Sequence, residues 1–228
     1  MAAKVSLGVI GVGRIGRVHA HNIKYLVPGA QLLAVSDVME EAAHQIGAEL
    51  QVPVVETDYH QLLKREDLDA VVICSSTDTH AQIIEEAAAA GKHIFCEKPI
   101  ALQIDRIKQV LAAVEQAGVK LQVGFNRRFD PGFRKAQQMI AEGRIGTPQV
   151  VRITSRDPAP PPLAYVKVSG GIFLDMTIHD FDMARFLLGE EVRELMAIGD
   201  CLVDPQIGEA GDIDTAIVTL KYENGAIG

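Results

Sequence analysis

Gly11-Val12-Gly13-Arg14-Ile15-Gly16 follows the apolar run Val5–Ile10 directly and opens a stretch with helical periodicity. Glycines at this spacing, between a strand and a helix, suit a loop that receives the pyrophosphate of a dinucleotide. Gly11 permits the tight turn, Gly13 lets the backbone approach the phosphates, and Gly16 lets the helix close on the strand. The helix N-terminus, with Arg14 and Ile15 in its first turn, supplies N–H groups and partial positive charge to the anion. Asp37 ends the second apolar run, where an acidic side chain accepts hydrogen bonds from the adenine ribose hydroxyls. A carboxylate there repels a 2′-phosphate, and Val38-Met39-Glu40 offer no cation to neutralise one. The expected cofactor is therefore NAD rather than NADP.

A second set of residues has the types needed to move a proton. Asp175 and His179 are spaced i, i+4 in a stretch read as one helix, which puts them on one face about a turn apart. A carboxylate beside an imidazole fixes its tautomer and favours its protonated form after proton uptake. Lys98 follows the end of a predicted parallel strand, where open α/β sheets place ligands. Its ammonium can hydrogen-bond a substrate oxygen and stabilise developing alkoxide charge, and Pro99 restricts the turn that carries it. A base, its orienting carboxylate and an ammonium suit the removal of a hydroxyl proton while hydride leaves the same carbon. Without the other motifs, an Asp-x3-His pair reads as a surface helical pair worth about a few tenths of a kcal/mol.

Other chemistry-bearing residues have blander readings. Ser75, Ser76, Thr77 and Asp78 open a helix after the strand 70–74; Thr77 or Asp78 is expected to cap it, and Ser75, Ser76 and Thr77 also stand where a cofactor ribose would lie. His19 and His21 are i, i+2 on a helix and face different ways, so no metal site is expected. Cys96 reads as a buried strand thiol, since hydride transfer needs no covalent intermediate. Cys74, Cys96 and Cys201 form no Cys-x-x-Cys pair and no disulfide framework, as in a protein with reduced thiols.

The elements that must position these groups change character along the chain. Up to about residue 125, strands alternate with helices. The strands are Val5–Ile10, 31–37, 52–55 (an edge strand, because of Pro53), 70–74, His93–Cys96 and 120–124. The helices are 14–27, Glu40–Leu50, 78–90 and Ile104–Ala117. This order predicts an α/β domain over residues 1–124 with a doubly wound parallel sheet. Residues 125–228 predict a partial α+β domain. It has helices at 131–142 and 175–188, a strand at 149–154 and an extended proline loop at 158–162. Longer strands at 192–203 and 214–222 predict a mostly antiparallel sheet with one covered face. The Asn224-Gly225 turn predicts a hairpin whose second arm is cut short, as in a piece of a longer protein.

Composition narrows the partners. The 228 residues carry a formal charge of −8, with 48% hydrophobic and 23% charged residues. An acidic chain has no global attraction for nucleic acid. No apolar stretch reaches the roughly 18 residues of a membrane span. The start, Met1-Ala2-Ala3-Lys4-Val5, has no secretory cleavage pattern, so a cytoplasmic protein is expected.

Two further motifs carry a resemblance. Cys96-Glu97-Lys98-Pro99 follows a parallel strand, and Gly170-Gly171-Ile172-Phe173-Leu174-Asp175-Met176-Thr177-Ile178-His179-Asp180 opens a helix in the second half. With the glycine loop, they resemble the Gfo/Idh/MocA oxidoreductase family. Gly124-Phe125-Asn126-Arg127-Arg128-Phe129-Asp130 and Ser155-Arg156-Asp157-Pro158 are similar to its inositol-oxidising branch. The resemblance implies a Rossmann domain followed by an open α/β domain whose sheet packs subunits into homotetramers or homodimers. It implies Lys98, Asp175 and His179 as the catalytic set and Glu97 as a ribose or nicotinamide contact. Asn126 and Arg127 would touch nicotinamide or substrate, or else form a domain-crossing salt bridge. Asp157, near the proline loop, is a candidate for binding a substrate hydroxyl or a capped-loop residue. The implied reaction is NAD-dependent oxidation of myo-inositol to its 2-keto derivative. Another polyol or pyranose, a non-catalytic NAD-binding regulator and an inactive fragment remain open alternatives. Family chains run on beyond this length, so the oligomer interface and the outer pocket wall depend on residues this chain lacks.

Overall fold

In the computed structural model, which describes residues 4–228, the chain divides into two units, Met1–Gly124 and Phe125–Gly228. Residues 1–3, read above as free of a cleavage signal, lie outside the described residues.

The first unit runs β1 (Val5–Ile10), α1 (Arg14–Tyr25), β2 (Ala30–Ser36), α2 (Glu40–Leu50), β3 (Val54–Glu56), α3 (His60–Leu63), β4 (Ala70–Ile73), α4 (Thr77–Ala89), β5 (His93–Cys96), α5 (Ile104–Ala117), β6 (Leu121–Val123). Its six strands pair in the order β3-β2-β1-β4-β5-β6, all parallel. β3 takes the edge that Pro53 points to. Successive side chains of a strand face opposite ways, and helices cover both faces. Ile10, Val71 and Ile73 therefore enter one core with Ile84 and Val110, while Val9, Val35 and Val72 enter the other with Ile23 and Ile46. Each such side chain, fully buried, stabilises the unit by about 1.5–3 kcal/mol. The winding reverses between β1 and β4, and ligands of open sheets bind beyond the strand ends at such a reversal. The glycine loop after β1 and Ser75 after β4 both emerge there. The single-turn helix α3 is too short for periodicity to reveal.

The second unit opens with a 3₁₀ turn (Asn126–Phe129) and continues α6 (Pro131–Ala141), α7 (Leu163–Ser169), α8 (Gly171–Asp175), α9 (Ile178–Leu188), β7 (Val192–Asp200), α10 (Pro205–Glu209), β8 (Thr215–Tyr222). Asp130 caps α6 by accepting from the N–H groups of Gly132 and Phe133, with Pro131 at the first helical position. Arg128 pairs through two nitrogens with buried Asp182 and lies over the Phe186 ring, which fixes α9 to the 3₁₀ turn.

Three expectations for this unit need correction. Residues 149–154 are not a strand: Val150 makes a single bridge to Ile227. The alternating pattern reflects burial, since Val151 and Ile153 pack on a core that includes Ala184, Leu220 and Tyr222. The helix expected at 175–188 is broken. Thr177 N–H and Thr177 Oγ1 both turn back to the Ile172 carbonyl, which ends α8 at Asp175, and α9 starts afresh at Ile178. The sheet's covered face is confined to β8, where Leu220 and Tyr222 are buried, while β7 is exposed on both sides after Val192. The final hairpin is as expected: its second arm is short, a bridge between Ile227 and Lys221 with Ala226 and Gly228 accepting from the Tyr222 and Leu220 N–H groups.

β7 also stops short of Val203. The Asp214 carboxylate accepts from the N–H groups of Leu202, Val203 and Asp204, which bends the chain into α10. These bonds hold the Asp214 carboxyl well below the usual range. A depressed folded value means that this stabilisation is complete above the ordinary value of 3.8 and disappears as the pH falls through the depressed one. In urea titrations across that acid range, Asp214→Asn is expected to flatten the pH dependence of the midpoint. An unchanged acid limb would contradict the assignment.

Candidate active site

The three glycines of the loop have different reasons to be glycine. Gly11 has φ +85°, and a Cβ on it would stand 2.6 Å from the Ser75 nitrogen. A Cβ on Gly16 would stand 1.9 Å from the Gly11 carbonyl oxygen, so the first turn of α1 rests on the loop itself. Gly13 has an ordinary φ of −65° and nothing within 4 Å of its missing Cβ. The fold needs the first and third; the second leaves open space in front of the α1 N-terminus. That terminus has no side-chain cap and no acidic residue in its first turn, and Gly13, Arg14 and Ile15 are exposed there. Space, N–H donors and positive potential together fit a pyrophosphate.

Asp37 follows β2. Its Oδ2 accepts from Val12 N–H at 2.8 Å and its Oδ1 from Met39 N–H at 2.9 Å. The carboxylate thus fastens the glycine loop and keeps a lone pair on each oxygen for an outside donor. Val38 and Met39 are 85% and 66% exposed, so the two residues that follow the carboxylate bring no cation to it. Asp37→Ser should weaken NAD binding by about tenfold to a hundredfold, the equivalent of one or two charge-assisted bonds, and narrow the NAD over NADP preference. Calorimetric titration with both dinucleotides checks this; an unchanged ratio would count against a ribose contact.

Ser76 occupies the N-cap position of α4 without a side-chain bond, so the expected capping by Thr77 or Asp78 is corrected. Thr77 is the first helical residue, and Asp78 is exposed in the first turn. Ser75 Oγ is instead 2.7 Å from Thr79 Oγ1, which also bonds the Ser76 carbonyl.

Lys98 is half-buried in the turn after β5, and the Lys98–Pro99 peptide is cis. Glu97 is committed to the unit's own packing: Oε1 lies 2.7 Å from His19 Nε2, and a Cβ on Gly124 would come within 2.8 Å of Oε2. Cys74 and Cys96 are buried at the ends of adjoining strands, and burial pushes both thiols far up. Neither is an available nucleophile. Cys201, in the second unit, is half-buried and donates to the Asp204 carbonyl; burial raises it too.

In the second unit, Asp175 ends α8 and His179 is the second residue of α9, so they do not share one continuous helical face. Asp175 Oδ1 accepts from Tyr165 Oη at 2.7 Å. The His179 ring stands edge-on to Phe125, with centroids 6.3 Å apart. Gly171, at φ +77°, is the first residue of α8, and Asp212 accepts from the next N–H, that of Ile172. A Cβ on Gly171 would meet Asp212 Oδ1 at 2.5 Å, which explains the glycine. Arg127 pairs with Asp180, which also accepts from Ser155 Oγ at 2.6 Å. That salt bridge lies within the second unit and is not the domain-crossing one considered above. Asn126 is exposed at the start of the 3₁₀ turn, and Asp157 is exposed on the loop before the prolines. Asp157, Asp175, Asp180 and Ser155 line one groove of about 1070 Å³.

Sequence reasoning missed Tyr165, Asp180, Ser155 and Asp212. Asp180 adjoins His179 in the quoted motif and was open to notice. The other three meet their partners across 10, 25 and 40 residues, and no local pattern signals them. Among the described residues, no helix is long and apolar enough to cross a membrane.

Comparison with known proteins places this geometry. Residues 5–125 match the profile of the oxidoreductase family with an NAD-binding Rossmann fold, and residues 133–228 match the GFO/IDH/MocA C-terminal domain. The chain is 51% identical over 222 residues to myo-inositol 2-dehydrogenase of Thermotoga maritima, covering 97% of this chain and 66% of that protein. It is 50% identical over 221 residues to inositol 2-dehydrogenase of Rhizobium meliloti, again 97% and 66%. The solved scyllo-inositol dehydrogenase from Lactobacillus casei, with bound NAD(H) and scyllo-inositol, superposes with a TM-score of 0.90 at 36% identity, over 98% of this chain and 68% of that one. The chain thus spans about 66% of the length of these curated relatives. With a glycine loop built for a dinucleotide and both family domains matched in order, the chain belongs to the Gfo/Idh/MocA oxidoreductase family.

Proposed function

We propose that this chain carries the cofactor site and the proton-transfer groups of an NAD-dependent dehydrogenase that oxidises one ring hydroxyl of myo-inositol to a ketone. The observation that carries the reading is the 51% identity, over 97% of the chain, with a myo-inositol 2-dehydrogenase. The open space at Gly13 and the Asp37 carboxylate support NAD as the cofactor. NAD, when bound, supplies the carbon that accepts the hydride.

The chain's own residues supply the rest. Gly11, Gly13, Arg14, Ile15 and Gly16 receive the pyrophosphate, Asp37 the adenine ribose, and Ser75, Ser76 and Thr77 the adjoining ribose. His179 takes the hydroxyl proton, and Asp175, steadied by Tyr165, orients the imidazole. Lys98 donates to the same oxygen as its negative charge develops. Asp157 and Asn126 offer hydrogen bonds to the other hydroxyls. Glu97 and Arg127, already engaged with His19 and Asp180, act through those contacts. The reading includes a cytoplasmic protein that assembles as a homotetramer or homodimer once its full chain is present.

Formation of NADH from NAD and myo-inositol, followed by its near-ultraviolet absorbance, tests the reaction. Turnover that depends on myo-inositol is expected; tight NAD binding without turnover on any inositol would overturn the enzymatic reading. The Lactobacillus casei likeness favours scyllo-inositol as the second candidate, and a higher kcat/KM for it than for myo-inositol would select that substrate.

A further inference from the structure

Lys98 stands between two residues that are each bonded to a histidine from a different helix. On one side, Glu97 Oε1 lies 2.7 Å from Nε2 of His19 in α1, whose ring also leans on Phe95 at 5.0 Å. On the other, the Pro99 carbonyl lies 2.8 Å from Nδ1 of His80 in α4. His80 is only 2% exposed, and its Nε2 faces the Ser75 carbonyl at 3.0 Å. Both ring nitrogens of a buried imidazole thus meet backbone acceptors. Burying so polar a ring costs desolvation that an apolar side chain of similar size would avoid, so its hydrogen bonds must matter.

The two helices are also the ones that open at the strand ends where the sheet reverses. α1 springs from the glycine loop, and α4 from Ser75-Ser76, whose backbone presses on Gly11. Above, His19 enters only as the partner of Glu97, and His80 has no role. As a sequence, His19 suggested at most half of a metal pair with His21.

We propose that His19 and His80 are positioning residues that clamp the backbone on both sides of Lys98, so that only the lysine's own torsions remain to aim its ammonium. A displacement of about 1 Å in a reacting group can cost a hundredfold in rate, so a clamp of this kind acts on the reaction without touching substrate. The inference rests on the role given to Lys98 above.

The test reads Lys98 directly. The full chain is reductively methylated with ¹³C at its lysines, which keeps their charge, and the Lys98 methyl signal is identified by its loss in Lys98→Arg. His19→Phe and His80→Phe are each expected to shift or broaden that signal while the other lysine signals stay in place. His19→Gln and His80→Gln, which retain a side-chain N–H donor, should return it toward its original position. If both Phe variants leave the Lys98 signal where it was, the clamp is refuted. Should His80→Phe fail to fold, the unsubstituted protein decides that half. A His80 Nδ1–H that exchanges with water over minutes or longer supports the tie to Pro99, and a ring protonated at Nε2 alone, or an Nδ1–H that exchanges too fast to observe, overturns it. No step of this test needs turnover, so a protein inactive on inositol would leave its outcome legible.

Discussion

His179→Ala is expected to slow inositol-dependent NADH formation by about a hundredfold to ten-thousandfold, the usual contribution of a positioned general base. That range equals about 2.7–5.5 kcal/mol of transition-state stabilisation. NAD affinity should hardly change, because His179 belongs to the second unit and the dinucleotide loop to the first. Asp175→Asn should give a smaller loss, since the amide can still accept from Tyr165 but no longer stabilises an imidazolium. The measurement is kcat and KM for each variant beside a direct NAD titration. A parallel loss of NAD binding and turnover in His179→Ala would mean that the histidine supports the fold rather than the proton transfer.

The second large effect separates two glycines that the motif treats alike. Gly16→Ala puts a carbon 1.9 Å from the Gly11 carbonyl oxygen, and neither partner is a flexible side-chain end. Overpacking typically costs about 1–3 kcal/mol, and backbone against backbone belongs at the upper end, so a drop of about 3 kcal/mol is expected. Gly13→Asp has the opposite profile. The position is an open N-cap with extended backbone and φ −65°, where aspartate is among the preferred caps and its charge suits the helix dipole. Stability should hold or rise by up to about 1 kcal/mol. NAD binding should fall by about a hundredfold or more, as charged hydrogen bonds to the pyrophosphate are replaced by repulsion. Urea unfolding and NAD calorimetry on the two variants read both quantities. If Gly13→Asp binds NAD normally, the phosphates do not lie at the α1 N-terminus.

These contrasts show which physics is local. The parallel sheet was legible because each strand is a short run buried on both faces and each helix has its own stop, such as Gly118 after α5. Its cofactor loop was legible for the same reason: strand, glycines, helix and Asp37 are fixed by short-range geometry. The second unit was harder, because its features are set by contacts far along the chain. Val151 and Ile153 alternate like a strand, yet their backbone finds only Ile227 to bridge. The break before His179 comes from Thr177, whose hydroxyl turns back to bond helix carbonyls, a choice periodicity does not register. α10 and the early end of β7 follow from one carboxylate, Asp214, ten or more residues downstream. In the candidate site, residue types pointed to Lys98, Asp175 and His179, while their supports Tyr165, His19 and His80 emerged only once the helices were in place.

The cysteines offer a clock for the dinucleotide half of the molecule. Cys74 and Cys96 lie in the first unit, protonated and walled in by strands, and Cys201 lies in the second. A thiol reagent applied under native conditions must therefore wait for β4 and β5 to come apart before it can react with the first two. Their labelling rate follows the opening of the dinucleotide half alone and slows when NAD holds that half shut. Cys201, half-buried in the second unit, reacts without such an opening, so one mass spectrum taken over time would set its direct labelling beside the gated labelling of the first two.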